Sequence, residues 1–467
     1  MAMLPQPGAY KPERAILALG GGYYDPVRAA DFPQAILRFR NDRWAASVGL
    51  AGLSDAEWIA HFGRFAPLPG NLPEPLALRY HGHQFRVYNP DIGDGRGFLF
   101  AQLRDGNGRL LDLGTKGSGQ TPYSRFGDGR LTLKGAVREV LATEMLEALG
   151  VETSKTFSLI ETGEALERND EPSPTRAAVL VRLGHGHIRI GTFQRLATIG
   201  ETANILKLAD YCLGHFFGEE GGEDAPQRLL RHVVRGAARL AGAYITAGFV
   251  HGVLNSDNIN VTAESFDYGP WRWTPYWEPH FTAAYFDHAG LYAFGRQPEA
   301  IHWDLVQLAI ALRSVAEADV LTAELEAFPH LFQEELRDAI FARLGIAAGD
   351  LAEDMKLVAG IEEALGRRTV TIDRFFFDWR GGAPRNPLPA YDDFADLRAL
   401  MARHAPLPGA AEHDYWSDAE PCSMHIEEVE AIWARIDEAD DWSALHAKVA
   451  AIRRMGEAIR PHFRRNA

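Results

Sequence analysis

The chain has 467 residues, 46% hydrophobic and 24% charged, with a formal net charge of -15. Such a composition suits a soluble globular protein of two or three lobes, and the negative balance argues against broad binding to nucleic acid or an anionic membrane. Two cysteines, Cys212 and Cys422, are too few for a disulfide framework or a zinc site and read as buried thiols. No apolar run approaches the roughly 18 residues of a membrane span. The N-terminus lacks the charged head and apolar core of a secretory signal, so the sequence reads as cytoplasmic.

Residues 1–75 read as an N-terminal extension with a helix around Asp55 to Phe65, opened by Ser54 with Glu57 at capping-box spacing. Residues 76–200 read as a small α+β lobe. Strands over Phe98 to Leu103 and Leu110 to Leu113 alternate with the turn pairs Asp94-Gly95, Asp105-Gly106 and Asn107-Gly108. A glycine-rich loop follows from Gly114 to Gly129, then a helix from Leu133 to Leu149 stopped by Gly150, and a strand from Ala177 to Leu183. Residues 201–385 read as a helical lobe. Gln227 to Ala247 carries apolar residues at helical spacing up to Gly248, and Trp303 to Val315 forms a further helix. Pro384 to Pro389 marks a boundary, Gly409 to Pro421 reads as a loop, and 386–467 as a helical tail. The basic residues Arg453, Arg454, Arg460, Arg464 and Arg465 suit a helix C-terminus and read as a solvated face.

Three sets of residues point to chemistry. Lys116 follows an apolar strand-like piece, and Glu139 sits 23 residues on within a helix, beside an apolar face. A strand lysine paired with a helix glutamate is how kinase-like sites hold a lysine against ATP phosphates; two unrelated surface residues is the competing reading. Asn258 and Asp267 offer the hard oxygens magnesium prefers, and Asp257 is then free to accept the proton of an attacking hydroxyl. The alternative is that Asn255, Asp257 and Asn258 cap turns. Arg182 and Arg189 stand in apolar surroundings, where arginine needs a carboxylate or a phosphate; structural ion pairs would satisfy them equally. Gly93-Asp94-Gly95-Arg96 is a turn whose backbone could approach a nucleotide, or simply a hairpin turn. In a kinase the catalytic loop reads His-Arg-Asp, whereas His251-Gly252-Val253 places valine where that aspartate stands.

The run from Gly114 to Arg130 resembles the signature of the SelO (YdiU) protein adenylyltransferases. So do His83-Gln84-Phe85, Asn89-Pro90, Gly93 to Arg96, Arg138-Glu139, His251 to Asn258 and Asp267 to Pro270, in order and spacing, over about residues 76 to 315. The resemblance implies an α+β, protein-kinase-like two-lobed fold that binds ATP reversed relative to kinases. The γ-phosphate is then gripped inside, and AMP passes from the α-phosphate to a Ser, Thr or Tyr hydroxyl of a protein. It further implies that Lys116, Arg182 and Arg189 hold phosphates, with Glu139 paired to Lys116. Gly93, Gly95, Arg96, Asp128 and Gly129 line the nucleotide site. Asn258 and Asp267 hold Mg2+ (or Mn2+), and Asp257 is the general base. Protein substrates, the chain itself among them, are the implied partners; AMP against UMP stays open. A conventional kinase and a catalytically silent nucleotide-binding scaffold are the alternatives. Arg86 departs from the family's usual glycine after His-Gln-Phe. Phe281 to Ala284 lacks a cysteine found in some bacterial members, and the tail from about Pro384 diverges.

Overall fold

The computed structural model describes residues 6–169 and 171–462. Thirteen strands occur in chain order among them: β1 (Pro12–Glu13), β2 (Tyr24–Pro26), β3 (Ile36–Arg40), β4 (Leu76–Leu78), β5 (Gly82–Gln84), β6 (Val87–Asn89), β7 (Leu99–Arg104), β8 (Leu110–Lys116), β9 (Leu131–Thr132), β10 (Lys155–Leu166), β11 (Thr175–Gly184), β12 (Phe249–Val250) and β13 (Arg272–Trp273). The main sheet runs β2-β4-β7-β8-β11-β10-β3, with β1 on β7 and β9 on β11. Both ends of this order therefore come from the first 75 residues. The expected strand Leu110 to Leu113 extends through Gly114 and Thr115 to Lys116, so three residues read as glycine-rich loop are strand. Gly114 pairs with Arg182 on β11 and Lys116 with Leu180. Glycine is needed at 114 because a Cβ there would lie 2.6 Å from the His187 ring. β10 was not expected.

Helices follow as α1 (Asp42–Ser47), α2 (Asp55–Phe62), α3 (Leu133–Ala148), α4 (Ile190–Thr198), α5 (Thr202–Cys212), α6 (Ala225–Ala247), α7 (Gln297–Leu312), α8 (Ala318–Glu326), α9 (Phe328–Leu344), α10 (Leu351–Gly366), α11 (Ile372–Asp378), α12 (Ala395–Met401), α13 (Ile426–Ala439) and α14 (Ser443–Ile459). The Ser54/Glu57 capping box opens α2 as expected, and α3 and α6 stop at Gly150 (φ +83°) and Gly248 (φ +69°). The helix expected from Trp303 begins six residues earlier, because Pro298 sits in its first turn, where a missing N–H is harmless. None of the described helices is long and apolar enough to cross a membrane.

α3 is buried along nearly its whole length, packed between β10 and β11 on one side and α13 and α14 on the other, with Glu139, Glu144 and Glu147 enclosed. The basic tail residues are accordingly not a solvated face. Arg453 forks onto Glu144 at 2.6 and 2.8 Å, Arg460 is buried 3.4 Å from Glu147, and Arg454 pairs with Asp418. Arg464 and Arg465 lie outside the described residues. Cys212 is buried and Cys422 half-buried, both as free thiols.

The β5–β6 hairpin turns on Phe85 (φ +50°) and Arg86 (φ +63°), a two-residue loop with both central residues left-handed. Arg86 thus takes the conformation that favours glycine. It is held by Glu299 at 3.2 Å and stacks on the Trp303 ring at 5.4 Å. The result is an α+β arrangement with the sheet and α3 facing the helices around α6.

Candidate nucleotide site

Between sheet and helices lies a cavity of about 650 Å³, lined by Gly93, Gly95, Arg96, Lys116, Asp128, Gly129, Arg182, Arg189, Asp257 and Asp267 among others. Ten of the twelve site residues expected from sequence therefore share one cleft. The remaining two sit directly behind it: Glu139 against Lys116, and Asn258 against Asp267.

The end of β8 delivers Lys116, and the buried face of α3 delivers Glu139, which is 1% exposed. Lys116 Nζ donates to Glu139 Oε2 at 2.7 Å and to the Tyr268 carbonyl at 3.2 Å. Arg182 projects from β11, and Arg189 from the residue that opens α4. Arg189 donates to the Asp257 carbonyl at 2.9 Å and stacks on the rings of Tyr80 and Phe266, 4.3 and 4.7 Å from their centroids. A guanidinium pinned by a carbonyl and two aromatic faces is fixed in direction, as phosphate recognition requires.

Asp267 is the hub. Lys116, Arg182, Arg189 and the Asn258 amide each approach its carboxylate at 3.3 Å. Charge-assisted bonds optimise at about 2.7–2.9 Å, so these four contacts are slack, whereas Lys116–Glu139 is tight. Slack contacts can be exchanged for phosphate oxygens or a cation at little cost. Burial acts to raise the Asp267 pKa, but Lys116, Arg182, Arg189 and Arg96 overcome it and hold the carboxyl well below the ordinary range. The surrounding cations thus favour the ionised carboxylate of Asp267. It adopts φ +64°, a left-handed conformation that aspartate tolerates better than most residues.

Asp257 behaves in the opposite sense. It is 7% exposed, and its Oδ1 has no hydrogen-bond partner. Burial pushes its pKa from 3.8 up to about 6, with Arg189 opposing and Asp267 assisting. A carboxylate poised near neutrality is suited to proton transfer.

The residues fit a nucleotide with a divalent ion. Lys116, Arg182 and Arg189 already meet the carboxyl groups of Glu139, Asp94 and Asp267, while Arg96, Arg125, Arg130 and Arg168 line the rest of the cleft with Asp128 and Glu167. Among the described residues no group of three or more His, Cys, Asp and Glu is gathered as a metal cage. Asn258 and Asp267 supply two hard oxygens, the number magnesium takes when phosphates and water complete its octahedron. The glycines contribute by being small: a Cβ on Gly93 would lie 2.5 Å from the Tyr123 ring. Asp128 sits at the rim, half-exposed, paired with Arg168 at 2.8 Å.

Sequence reasoning missed Asp94, which meets Arg189 at 3.3 Å, and the Tyr80 and Phe266 rings. Asp94 lay within the quoted Gly93–Arg96 turn. A lone tyrosine before the hairpin carries no such signal.

Residues 9–385 match the family model described as protein adenylyltransferase SelO. A protein nucleotidyltransferase YdiU of Synechocystis sp. is 41% identical, over 92% of this chain and 95% of its own. Its counterpart in Gloeobacter violaceus is 42% identical, over 95% of each, and that of Synechococcus elongatus 46%, over 78% of this chain and 74% of its own. Among solved structures, a Toxoplasma gondii rhoptry antigen kinase domain aligns over 63% of this chain and 85% of its own, at 12% identity and a TM-score of 0.28, a likeness too low to bear on the fold. The chain belongs to the SelO family of protein adenylyltransferases.

Proposed function

We propose that the chain transfers AMP from ATP to a Ser, Thr or Tyr hydroxyl of a protein and releases pyrophosphate. The observation that carries this reading is the shared cleft: a near-neutral buried carboxylate, Asp257, beside three cations that converge on Asp267. Lys116, Arg182 and Arg189 bind the triphosphate tail, with Glu139 holding Lys116 in place. Gly93, Gly95, Arg96, Asp128 and Gly129 border the rest of the nucleotide. The α-phosphate then faces Asp257. Asp257 takes the proton from the hydroxyl, whose oxygen bonds to the α-phosphorus while the bond to the β-phosphate oxygen breaks and pyrophosphate leaves. Asn258 and Asp267 would hold Mg2+, or Mn2+, which when bound supplies charge neutralisation to the phosphates. Val253, at the position of the kinase base, favours this orientation over γ-phosphoryl transfer.

The test is to incubate the full chain, alone and with a mixture of folded proteins, with ATP labelled at the α- or the γ-phosphate. Label from the α position in protein, with matching pyrophosphate, is the expected result. Label from the γ position alone, or from neither while ATP binds, refutes it. Asp267→Ala removes incorporation; unchanged labelling overturns the metal assignment.

A further inference from the structure

His83-Gln84-Phe85 and Asn89 have no part in the nucleotide chemistry above, yet His83 and Phe85 are tied to the loop that carries Asp257, and Asn89 to Gln84. β5 and β6 are three residues each, and a hairpin so short has no stability of its own in water. It is held from outside. The backbone N–H of His83 donates to Ser256 Oγ at 2.7 Å, and that of Phe85 to Asn255 Oδ1 at 3.0 Å. Ser256 Oγ in turn donates to Gln194 Oε1 at 2.6 Å, and the Gln194 amide nitrogen meets His83 Nδ1 at 2.7 Å. Tyr292 donates to the same Asn255 oxygen at 2.6 Å, and its ring packs on Phe85 at 5.1 Å. The two residues before Asp257 are thus clamped to the amides of His83 in β5 and Phe85 in the turn.

Side chains alternate along a strand, so Gly82 and Gln84 share the face opposite His83. Gly82 lies so close to the base that a Cβ there would come within 2.8 Å of both Cβ and Oδ1 of Asp257. Gln84 lines the same cavity as Asp257, and its side chain acts to lower the pKa of that carboxyl. The direction of the Gln84 amide is fixed in series. The Asp91 N–H donates to Asn89 Oδ1 at 3.0 Å, which leaves the Asn89 NH2 to donate to Gln84 Oε1 at 3.0 Å. With its oxygen occupied, Gln84 has only its NH2 to offer Asp257, and a carboxylate accepts only.

We propose that Gln84 is a positioning residue for the transfer reaction: its amide NH2, oriented by Asn89, holds the Asp257 carboxylate toward the hydroxyl to be modified. This rests on the reading of Asp257 as the base.

The test compares Asn89→Asp with Asn89→Ala in the full chain, with Gln84→Leu and Asp257→Asn alongside, measuring kcat, KM for ATP and thermal midpoint. Asn89→Asp keeps the shape and the acceptor for Asp91 but offers no donor, so Gln84 turns over and presents oxygen to Asp257. The expected result is a kcat loss of about 100-fold, with KM for ATP within about twofold because the phosphate-binding cations are untouched. Asn89→Ala leaves Gln84 free to donate and loses about tenfold; Gln84→Leu falls between the two. A purely structural role predicts the reverse order, the isosteric Asn89→Asp being the milder change. The proposal is overturned if Asn89→Asp is as active as Asn89→Ala, or if Gln84→Leu keeps wild-type kcat. It is also overturned if the loss appears in KM alone. Should Asn89→Asp fail to fold, Gln84→Leu decides by the same split. Wild-type activity in Asp257→Asn would sink the base reading itself, whereas an inactive Asp257→Asn with unaffected Gln84 and Asn89 variants sinks only the positioning role.

Discussion

Asp257→Asn removes the proposed base and, by the same physics, makes the fold more stable. The Asp257 pKa rises from 3.8 to about 6, chiefly through burial. A carboxyl whose folded pKa lies above its unfolded value keeps its proton in the native state while the unfolded chain has released it. Native stability therefore falls as pH rises from about 4 to about 6 and stays reduced above that window. At about 1.4 kcal/mol per pKa unit, the penalty is about 1.6 kcal/mol at pH 5 and about 3 kcal/mol at pH 8. Asparagine has no proton to lose and escapes it. Urea unfolding of both proteins, free of nucleotide and with divalent ions chelated, is the assay. The stability of the variant relative to wild type should grow by about 1.4 kcal/mol between pH 5 and pH 8, while transferase activity at pH 8 is lost. A difference that is flat or shrinks over this range would show that the native state does not strain the ionised carboxylate, and the case for a base tuned by burial would fail.

Two further changes probe the same cleft. Lys116→Met leaves Glu139 buried at 1% exposure with no hydrogen bond to Oε1 and only Arg182 nearby at 3.8 Å, so about 3 kcal/mol of stability should be lost in urea unfolding. Lys116→Met with Glu139→Gln should recover part of that loss but no activity; equal stability of the single and double variants would deny that the pair is coupled. Gly82→Ala puts a methyl within 2.8 Å of Asp257, and a displacement of this size should lower kcat about 100-fold with ATP binding intact. A fully active Gly82→Ala would mean that the contact between β5 and the catalytic loop is slack.

Legibility followed the range of the physical signal. The Ser54/Glu57 box, the glycine stops at 150 and 248 and the 3.6-residue pattern of α6 are local, and each stands where the sequence places it. Lys116 and Glu139 were legible because only the glycine-rich loop and the two-residue β9 separate β8 from α3. Gly114 to Lys116 misread as loop because glycine normally weakens a strand, and the reason for it here, the His187 ring, lies 73 residues away. The role of Gln84 depends on the β5–β6 hairpin folding back over a loop some 170 residues later, and those of Asp94 and Tyr80 on the distant Arg189. Nothing in local periodicity encodes such a closure.

The tail was the clearest misreading, and its correction carries a prediction. Read alone, arginines near a C-terminus belong in water. In the fold α14 crosses α3 so closely that a Cβ on Gly456 would lie 3.1 Å from Ala148 Cβ, and Arg453 reaches Glu144, five residues beyond Glu139 on the same helix. The family model ends at residue 385, yet the helix that sets the Lys116 partner is covered by residues 426–459. Arg453→Glu faces Glu144, itself 3% exposed, with a second carboxylate. Because Arg453 keeps 32% of its side chain exposed, the loss belongs at the low end for a broken buried pair, about 2–3 kcal/mol. ATP affinity should fall with it, because α3 loosens at Glu139. Arg453→Glu combined with Glu144→Arg restores the pairing with its sign reversed and should regain most of both. If the single variant matches wild type in stability and in ATP binding, the tail only adheres to the lobe, and Glu139 is held by the sheet alone.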